Sequence, residues 1–185
     1  MSQQGEHIND LLQLCKEGNA GAQLEVYNRY YKSMYNTSLR IVKDSAEAED
    51  IMQESFLSAF TKLHTFIGEV TFGSWLKKIV VNNSIHHYRK QQKKNEVALD
   101  AMLYKVKDDD GIDPDHGVTE MMAQKVMSAM NQLQDNYRVA LTLFLIEGYD
   151  YEEISEIMKI SYANCRTIIS RAKESLRKKL TLVIQ

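Results

Sequence analysis

Close to the C-terminus an acidic segment (Asp150, Glu152, Glu153, Glu156) is followed by a basic one. The basic segment holds Arg166, Arg171, Lys173, Arg177, Lys178 and Lys179 against the single acid Glu174. Cations at this density neutralise phosphates, and Arg, Asn or Thr near a helix start can reach base edges. Each neutralised phosphate steepens the salt dependence of binding. The spacing predicts two short helices with a tight break. Asp150 caps the first, with Glu153 reaching back, and Ile154, Ile157 and Met158 face inward at helical spacing. Ser161 caps the second, and Cys165, Ile169, Ala172 and Leu176 continue an inward stripe. That leaves Tyr162, Asn164, Arg166, Thr167, Ser170, Arg171 and Lys173 on or near the outer face. This is the pattern of a helix-turn-helix, whose second helix enters the major groove. On spacing alone, a solvated helix pair at the end of a bundle remains the alternative.

Residues 86–94 form a second basic patch, with Arg89, Lys90, Lys93, Lys94, His86 and His87 and no acid. The adjacent histidines point in different directions on a helix, which favours phosphate or groove contact over metal binding. Acids collect instead at 44–54 and 108–115. The net charge of -2 argues mildly against a nucleic-acid binder, but the field a phosphate meets is set by local patches. Cys15 and Cys165 match no metal spacing and are expected as buried free thiols. The sequence contains no Gly-rich phosphate loop, nucleophile motif or metal cluster, so neither catalysis nor a cofactor is expected. Met1 to Asp10 is polar and no apolar run is long enough to span a bilayer, which predicts a cytoplasmic protein without membrane insertion.

The elements that must position these residues are all helical. In 185 residues there are one proline and eight glycines, with 44% hydrophobic residues, enough for a packed core. The pattern predicts an all-α protein of two small helical domains, residues 8–94 and 118–185, joined by a flexible acidic linker over 95–117. The first helix carries Ile8, Leu11, Leu12 and Cys15 and stops near Gly18. The second spans about 20–42, with Leu24, Tyr27, Tyr31, Met34, Tyr35, Ser38 and Leu39 on one side. Asp44 and Glu47 have capping-box spacing for a third helix ending near His64, whose stripe is Met52, Phe56, Ala59, Phe60 and Leu63. After a break at 65–73, a fourth turns Trp75, Leu76, Ile79, Val80 and Asn83 inward. Lys78, Asn82 and Arg89 are read as a strand-tracking stripe opposite Trp75. A short helix around 98–106 is admissible in the linker. The second lobe opens with a helix over about 118–133 and another over 136–147, rich in Leu141, Leu143, Phe144, Leu145 and Ile146. Gly148 is a left-handed stop.

The string Leu133-Gln-Asp-Asn-Tyr137-Arg138, followed by Gly148-Tyr-Asp-Tyr151-Glu152-Glu153-Ile154, resembles the promoter-reading C-terminal domain of extracytoplasmic-function (ECF) sigma factors, the specificity subunits of bacterial RNA polymerase. Transcriptional response regulators share the helix-turn-helix, so this half alone leaves the family open. The N-terminal half narrows it. Ala48-Glu49-Asp50-Ile51-Met52-Gln53-Glu54-Ser55-Phe56 resembles the segment that docks these factors on a coiled coil of the largest catalytic polymerase subunit, which implies docking through Asp50, Gln53 and Glu54. Phe66-Ile-Gly-Glu-Val-Thr-Phe72-Gly-Ser-Trp75-Leu76 resembles the loop that captures a flipped base of the minus-ten element. By that resemblance Gly68, Glu69, Val70 and Thr71 form the base-selecting loop and Asn82 sits at the duplex edge, on the stripe that the spacing gives to Lys78, Asn82 and Arg89. The C-terminal outer face then reads the minus-thirty-five element. Phe72 and Trp75 are read as core. The resemblance covers about 20–94 and 118–180, and implies core RNA polymerase, promoter DNA and an anti-sigma factor as partners.

Three positions depart from the family pattern. Gln134 stands where the family has proline, so Asp135 is expected to cap the next helix. Lys159 stands where the turn usually holds glycine. Ile168 replaces a frequent cation, which alters what the recognition helix can read. Two other function classes stay open: a stand-alone helix-turn-helix regulator, which needs a dimerisation or sensing domain, and a helical protein-interaction module.

Overall fold

A computed structural model describes residues 3–98 and 118–184, with side chains over 8–93 and 121–181. It divides into two units, Met1–Lys93 and Lys94–Gln185, each with its own core. Among the described residues the regular structure is entirely helical.

In the first unit α1 (Gln3–Lys16) begins earlier than the Ile8 periodicity indicates, and α2 spans Ala20–Val42. Gly18 makes the break at φ 83°, and Asn19 starts α2 by accepting the Ala22 N–H at 3.0 Å. Lys43 ends it in the left-handed region at φ 61°. Asp44 then caps α3 (Ser45–Thr61) by accepting the Glu47 N–H at 2.8 Å. The expected return bond is replaced by a long-range one, because the Glu47 carboxylate accepts from Gln91. After a 3-10 turn at Leu63–Thr65, α4 runs from Phe72 to Ala98. It therefore occupies the first residues of the expected linker. Its apolar stripe ends earlier, but Gln, Lys, Glu and Ala carry the helix on by propensity. The rest of the linker, including 98–106 beyond Ala98, lies outside the described residues.

Val26, Met34, Met52, Phe56, Leu63, Phe72, Leu76 and Val80 form the core of this unit. Burying one such side chain stabilises the fold by about 2 kcal/mol. The buried side of α2 differs in part from the expected stripe: Met34 and Ser38 are buried as expected, but Leu24 is 59% and Tyr31 43% exposed, while Ala22, Val26, Thr37 and Ile41 are buried. α2 meets several helices, and small residues take the face between them. There Ser84 Oγ of α4 donates to Ser38 Oγ at 3.0 Å, and between α3 and α4 Asn83 Nδ2 donates to Ser55 Oγ at 2.9 Å. These bonds satisfy polar groups that would otherwise be costly to bury.

The second unit comprises α5 (Val118–Asn131), α6 (Asp135–Leu141), α7 (Tyr151–Met158) and α8 (Tyr162–Ile184). Val139, Leu141, Leu143, Ile154, Cys165, Ile169 and Ala172 are fully buried in it. Asp135 does not cap α6 as expected: Gln134 is the N-cap residue, at φ -57° and without a side-chain cap bond. That φ is the value a proline ring would lock. Asp135 lies in the first turn, and its Oδ1 accepts from Arg138 Nη2 at 3.2 Å. Arg138 is a buried cation, with its side chain 4% exposed. The α-helix expected to continue to Glu147 does not do so. It widens at Thr142–Ile146 into a π-helical turn, in which the Glu147 N–H reaches back to the Thr142 carbonyl at 3.0 Å. Gly148 comes next, at φ 81°.

Candidate nucleic-acid and polymerase interfaces

The helix-turn-helix is built by reciprocal capping. Asp150 Oδ1 accepts the Glu153 N–H at 2.8 Å, and Glu153 Oε2 accepts the Asp150 N–H at 3.0 Å. Ile154 is fully buried beneath α7, with Ile157 and Met158 half-buried beside it. Lys159 makes the turn at φ 50° and ψ 50°, in the left-handed region. Ser161 Oγ accepts the Asn164 N–H at 3.3 Å to start α8. Tyr149, on the approach to α7, has its phenol pushed up to about 12 by burial, then by Glu147 and Glu153.

With Cys165, Ile169, Ala172 and Leu176 turned inward, Tyr162, Asn164, Arg166, Thr167, Ser170 and Arg171 are all exposed on one helix. Arg166, Thr167, Ser170 and Arg171 line a shallow groove with Ala163. Thr167 Oγ1 donates to the Ala163 carbonyl at 3.0 Å, so its methyl and oxygen lone pairs are what it offers outward. Tyr162 is held edge-on to Tyr151, with centroids 6.4 Å apart. Lys173 is half-buried at the edge of that face, and its Nζ sits 4.0 Å from the centroid of Phe144. That cation–π contact holds it at the flank of the exposed face. Ile168 is half-buried.

On α3, Asp50, Gln53 and Glu54 are exposed, while Met52 and Phe56 are buried beneath them and Phe60 is half-buried. Gln53 Nε2 donates to Glu49 Oε1 at 3.2 Å. Leu57, 69% exposed, lies on the same face. Sequence reasoning passes over it, although its place one turn beyond Glu54 signals the shared face. The result is a polar, acidic surface with one apolar contact point.

Between α3 and α4, Gly68 takes φ 81°, and Ile67, Gly68, Glu69, Val70 and Thr71 are all exposed. Both ends of this loop are anchored by aromatic packing. Phe66 lies 5.7 Å from Phe72 and 5.4 Å from Trp75, and Phe72 lies 5.4 Å from Tyr30, centroid to centroid. Phe72 is 3% exposed, and Trp75 is half-buried against it; both are part of the packing. Thr71 is less free than a loop-tip residue. Its Oγ1 accepts the Ser74 N–H at 3.2 Å and its carbonyl accepts the Trp75 N–H at 3.0 Å, the arrangement of a helix cap.

Lys78 and Asn82 are exposed and Arg89 is half-buried. They do share a stripe, but not the one expected. Offsets of three and seven residues place Lys78 and Asn82 on the same side of α4 as Trp75, and the buried side holds Leu76, Val80 and Ser84. His87 also differs. It turns toward Glu47 Oε2, 3.5 Å from its Nδ1, whereas His86 is exposed. Cys15 and Cys165 are buried free thiols, and burial raises both above the ordinary thiol value.

Residues 26–94 match the family model Sigma-70 region 2, and residues 123–176 match Sigma-70, region 4. The chain is 31% identical over 153 residues to the ECF RNA polymerase sigma factor SigM of Bacillus subtilis, covering 83% of this chain and 91% of that relative. The chain belongs to the ECF RNA polymerase sigma factors. A second relative in this family, SigW of Bacillus subtilis, is 30% identical over 182 residues, covering 94% of this chain and 96% of its own. The sigma-factor fold is also shared with RpoE of Bartonella quintana, solved in complex with the anti-sigma factor NepR. The TM-score is 0.58 at 21% identity, covering 85% of this chain and 95% of that one. Among the described residues no helix is long and apolar enough to cross a membrane.

Proposed function

We propose that this sigma factor joins bacterial core RNA polymerase through Asp50, Gln53 and Glu54 on α3 and directs it to promoters with two separate DNA-reading surfaces. The loop residues Gly68, Glu69, Val70 and Thr71 select a base of the minus-ten element, and Lys78, Asn82 and Arg89 follow the strand along α4. Tyr162, Asn164, Arg166, Thr167, Ser170 and Arg171 read the minus-thirty-five element. Lys173 contributes from the flank, where its charge over Phe144 still adds to the field at the groove. The chain makes no bonds; it is not an enzyme, and the polymerase supplies the chemistry. It works in the cytoplasm. An anti-sigma factor is its proposed antagonist, by analogy with the RpoE complex.

The observation that carries this reading is the pairing on one chain of an exposed acidic face on α3 with an exposed basic face on α8. The first suits a protein partner and the second suits duplex phosphates. The test is promoter-specific transcription by purified core polymerase with the parent chain or with an Asp50→Arg/Glu54→Arg variant. Specific initiation by the parent and its loss in the variant is the expected result. No complex with core polymerase, together with DNA binding by the chain alone, replaces this reading with that of a stand-alone regulator.

A further inference from the structure

α4 extends to Ala98, but among its described side chains, which end at Lys93, the last buried apolar one is Ile85. Beyond that point His86, Lys90 and Lys93 are exposed, and His87, Tyr88, Arg89, Gln91 and Gln92 are half-buried. A helical segment of this length without an apolar seam is marginal by itself, so polar contacts must contribute to holding it.

Glu47, in the first turn of α3, supplies one such hydrogen bond and stands beside a second polar group. Its Oε1 accepts from Gln91 Nε2, and its Oε2 faces His87 Nδ1 at 3.5 Å. Both of these last two atoms are closed to solvent and form no hydrogen bond, so they attract each other only as an ion pair when His87 is protonated. His87 and Gln91 are one helical turn apart, so a single carboxylate bridges successive positions on one face of α4. Arg89, two residues from each, falls on the opposite side. Glu47 is itself fixed by the bond from its N–H to the Asp44 cap at 2.8 Å.

We infer that Glu47 is a positioning residue, holding the basic end of α4 on the docking helix so that Arg89, Lys90 and Lys93 meet DNA as a fixed array. The inference rests on the proposed roles of α3 and α4. A pre-ordered array binds without bearing the entropy of ordering a frayed helix end at the moment of contact. Because Glu47 shares α3 with Asp50, Gln53 and Glu54, seating α3 on the polymerase also sets where those cations stand.

The test compares Glu47→Ala, Glu47→Gln and the double variant His87→Ala/Gln91→Ala in the full chain. Hydrogen exchange of the free protein reads the anchoring. Core-polymerase affinity and the half-life of the promoter complex read the positioning. Glu47→Ala is expected to exchange faster over the amides of 87–98 and to keep its core affinity within about twofold. Its promoter complex is expected to decay about threefold to tenfold faster, the scale of one lost hydrogen bond. The double variant should reproduce this, and Glu47→Gln, whose amide oxygen still accepts from Gln91, should recover much of the lost half-life. Unchanged exchange overturns the anchor. Faster exchange with an unchanged half-life reduces the contact to a structural one and overturns the positioning role. A parallel fall in core affinity and thermal stability does the same. If the parent forms no promoter complex with core polymerase, the assignment of the surfaces falls, and the positioning role with it, whatever the exchange shows.

Discussion

Lys159 holds φ 50° at the turn of the helix-turn-helix, where a side chain costs free energy that glycine does not. Lys159→Gly is expected to stabilise the second unit by about 1 kcal/mol, read as a raised urea midpoint with an unchanged slope. A lower midpoint would mean that the lysine makes compensating contacts. Sequence anticipates this residue because the fault lies in backbone sterics, which depend on one position. It is less informative where a side chain chooses among partners. Asp135 has the chemistry of a cap, yet its carboxylate accepts from the buried Arg138. Lys173 has the charge of a phosphate ligand, yet it sits over Phe144. Glu47 is legible as half of a capping box, and its other half is occupied by a helix more than forty residues away. Local spacing does not report a long-range competitor of equal hydrogen-bonding quality.

At the scale of elements, the residues of α8 proposed to face DNA lie mostly within its first three turns, and the exposed cations there are Arg166 and Arg171. If both meet phosphates, Arg166→Ala and Arg171→Ala should each lower the slope of log affinity against log salt by about 1. Affinity would fall by a similar factor on every promoter sequence. A loss confined to one sequence, with the slope unchanged, would instead assign that arginine to a base edge, where discrimination is about 1–3 kcal/mol. Helix starts are largely legible, since Asn19, Asp44, Asp150 and Ser161 act through bonds within three residues. The π-helical turn is not, because one added residue in the ring leaves composition and capping untouched while rotating the side chains beyond it; Leu145 ends 49% exposed. The end of α4 escapes sequence reasoning for the opposite reason. Its helix outlasts its apolar stripe, so the end of the stripe does not mark the end of the helix. The side of α4 given to Lys78 and Asn82 is a matter of helical angle, and the 3.6-residue repeat corrects it.

The whole chain carries a net charge of -2, although α8 and the end of α4 are locally basic. Each DNA surface is small, and a surface contacting a few phosphates binds only weakly at physiological salt, with dissociation constants on the order of 10⁻⁴–10⁻⁶ M without sequence preference. The acids on α3 and at the start of α7 add a repulsive background at longer range, screened beyond about 8 Å. Affinity for a promoter must then come from joining the two surfaces on a common platform, where the second contact forms at high effective concentration. The isolated chain is therefore expected to give no promoter-specific shift of duplex DNA at about 0.15 M salt. The same chain with core polymerase should give one, and scrambling either promoter element should weaken it by at least about tenfold, the range expected when one of two linked contacts is lost. Specific binding by the chain alone would mean that one surface carries recognition unaided, the behaviour of a stand-alone regulator. A shift insensitive to the upstream element would leave α8 as a phosphate contact only, and would place the cost of losing a cation at Ile168 in sequence reading.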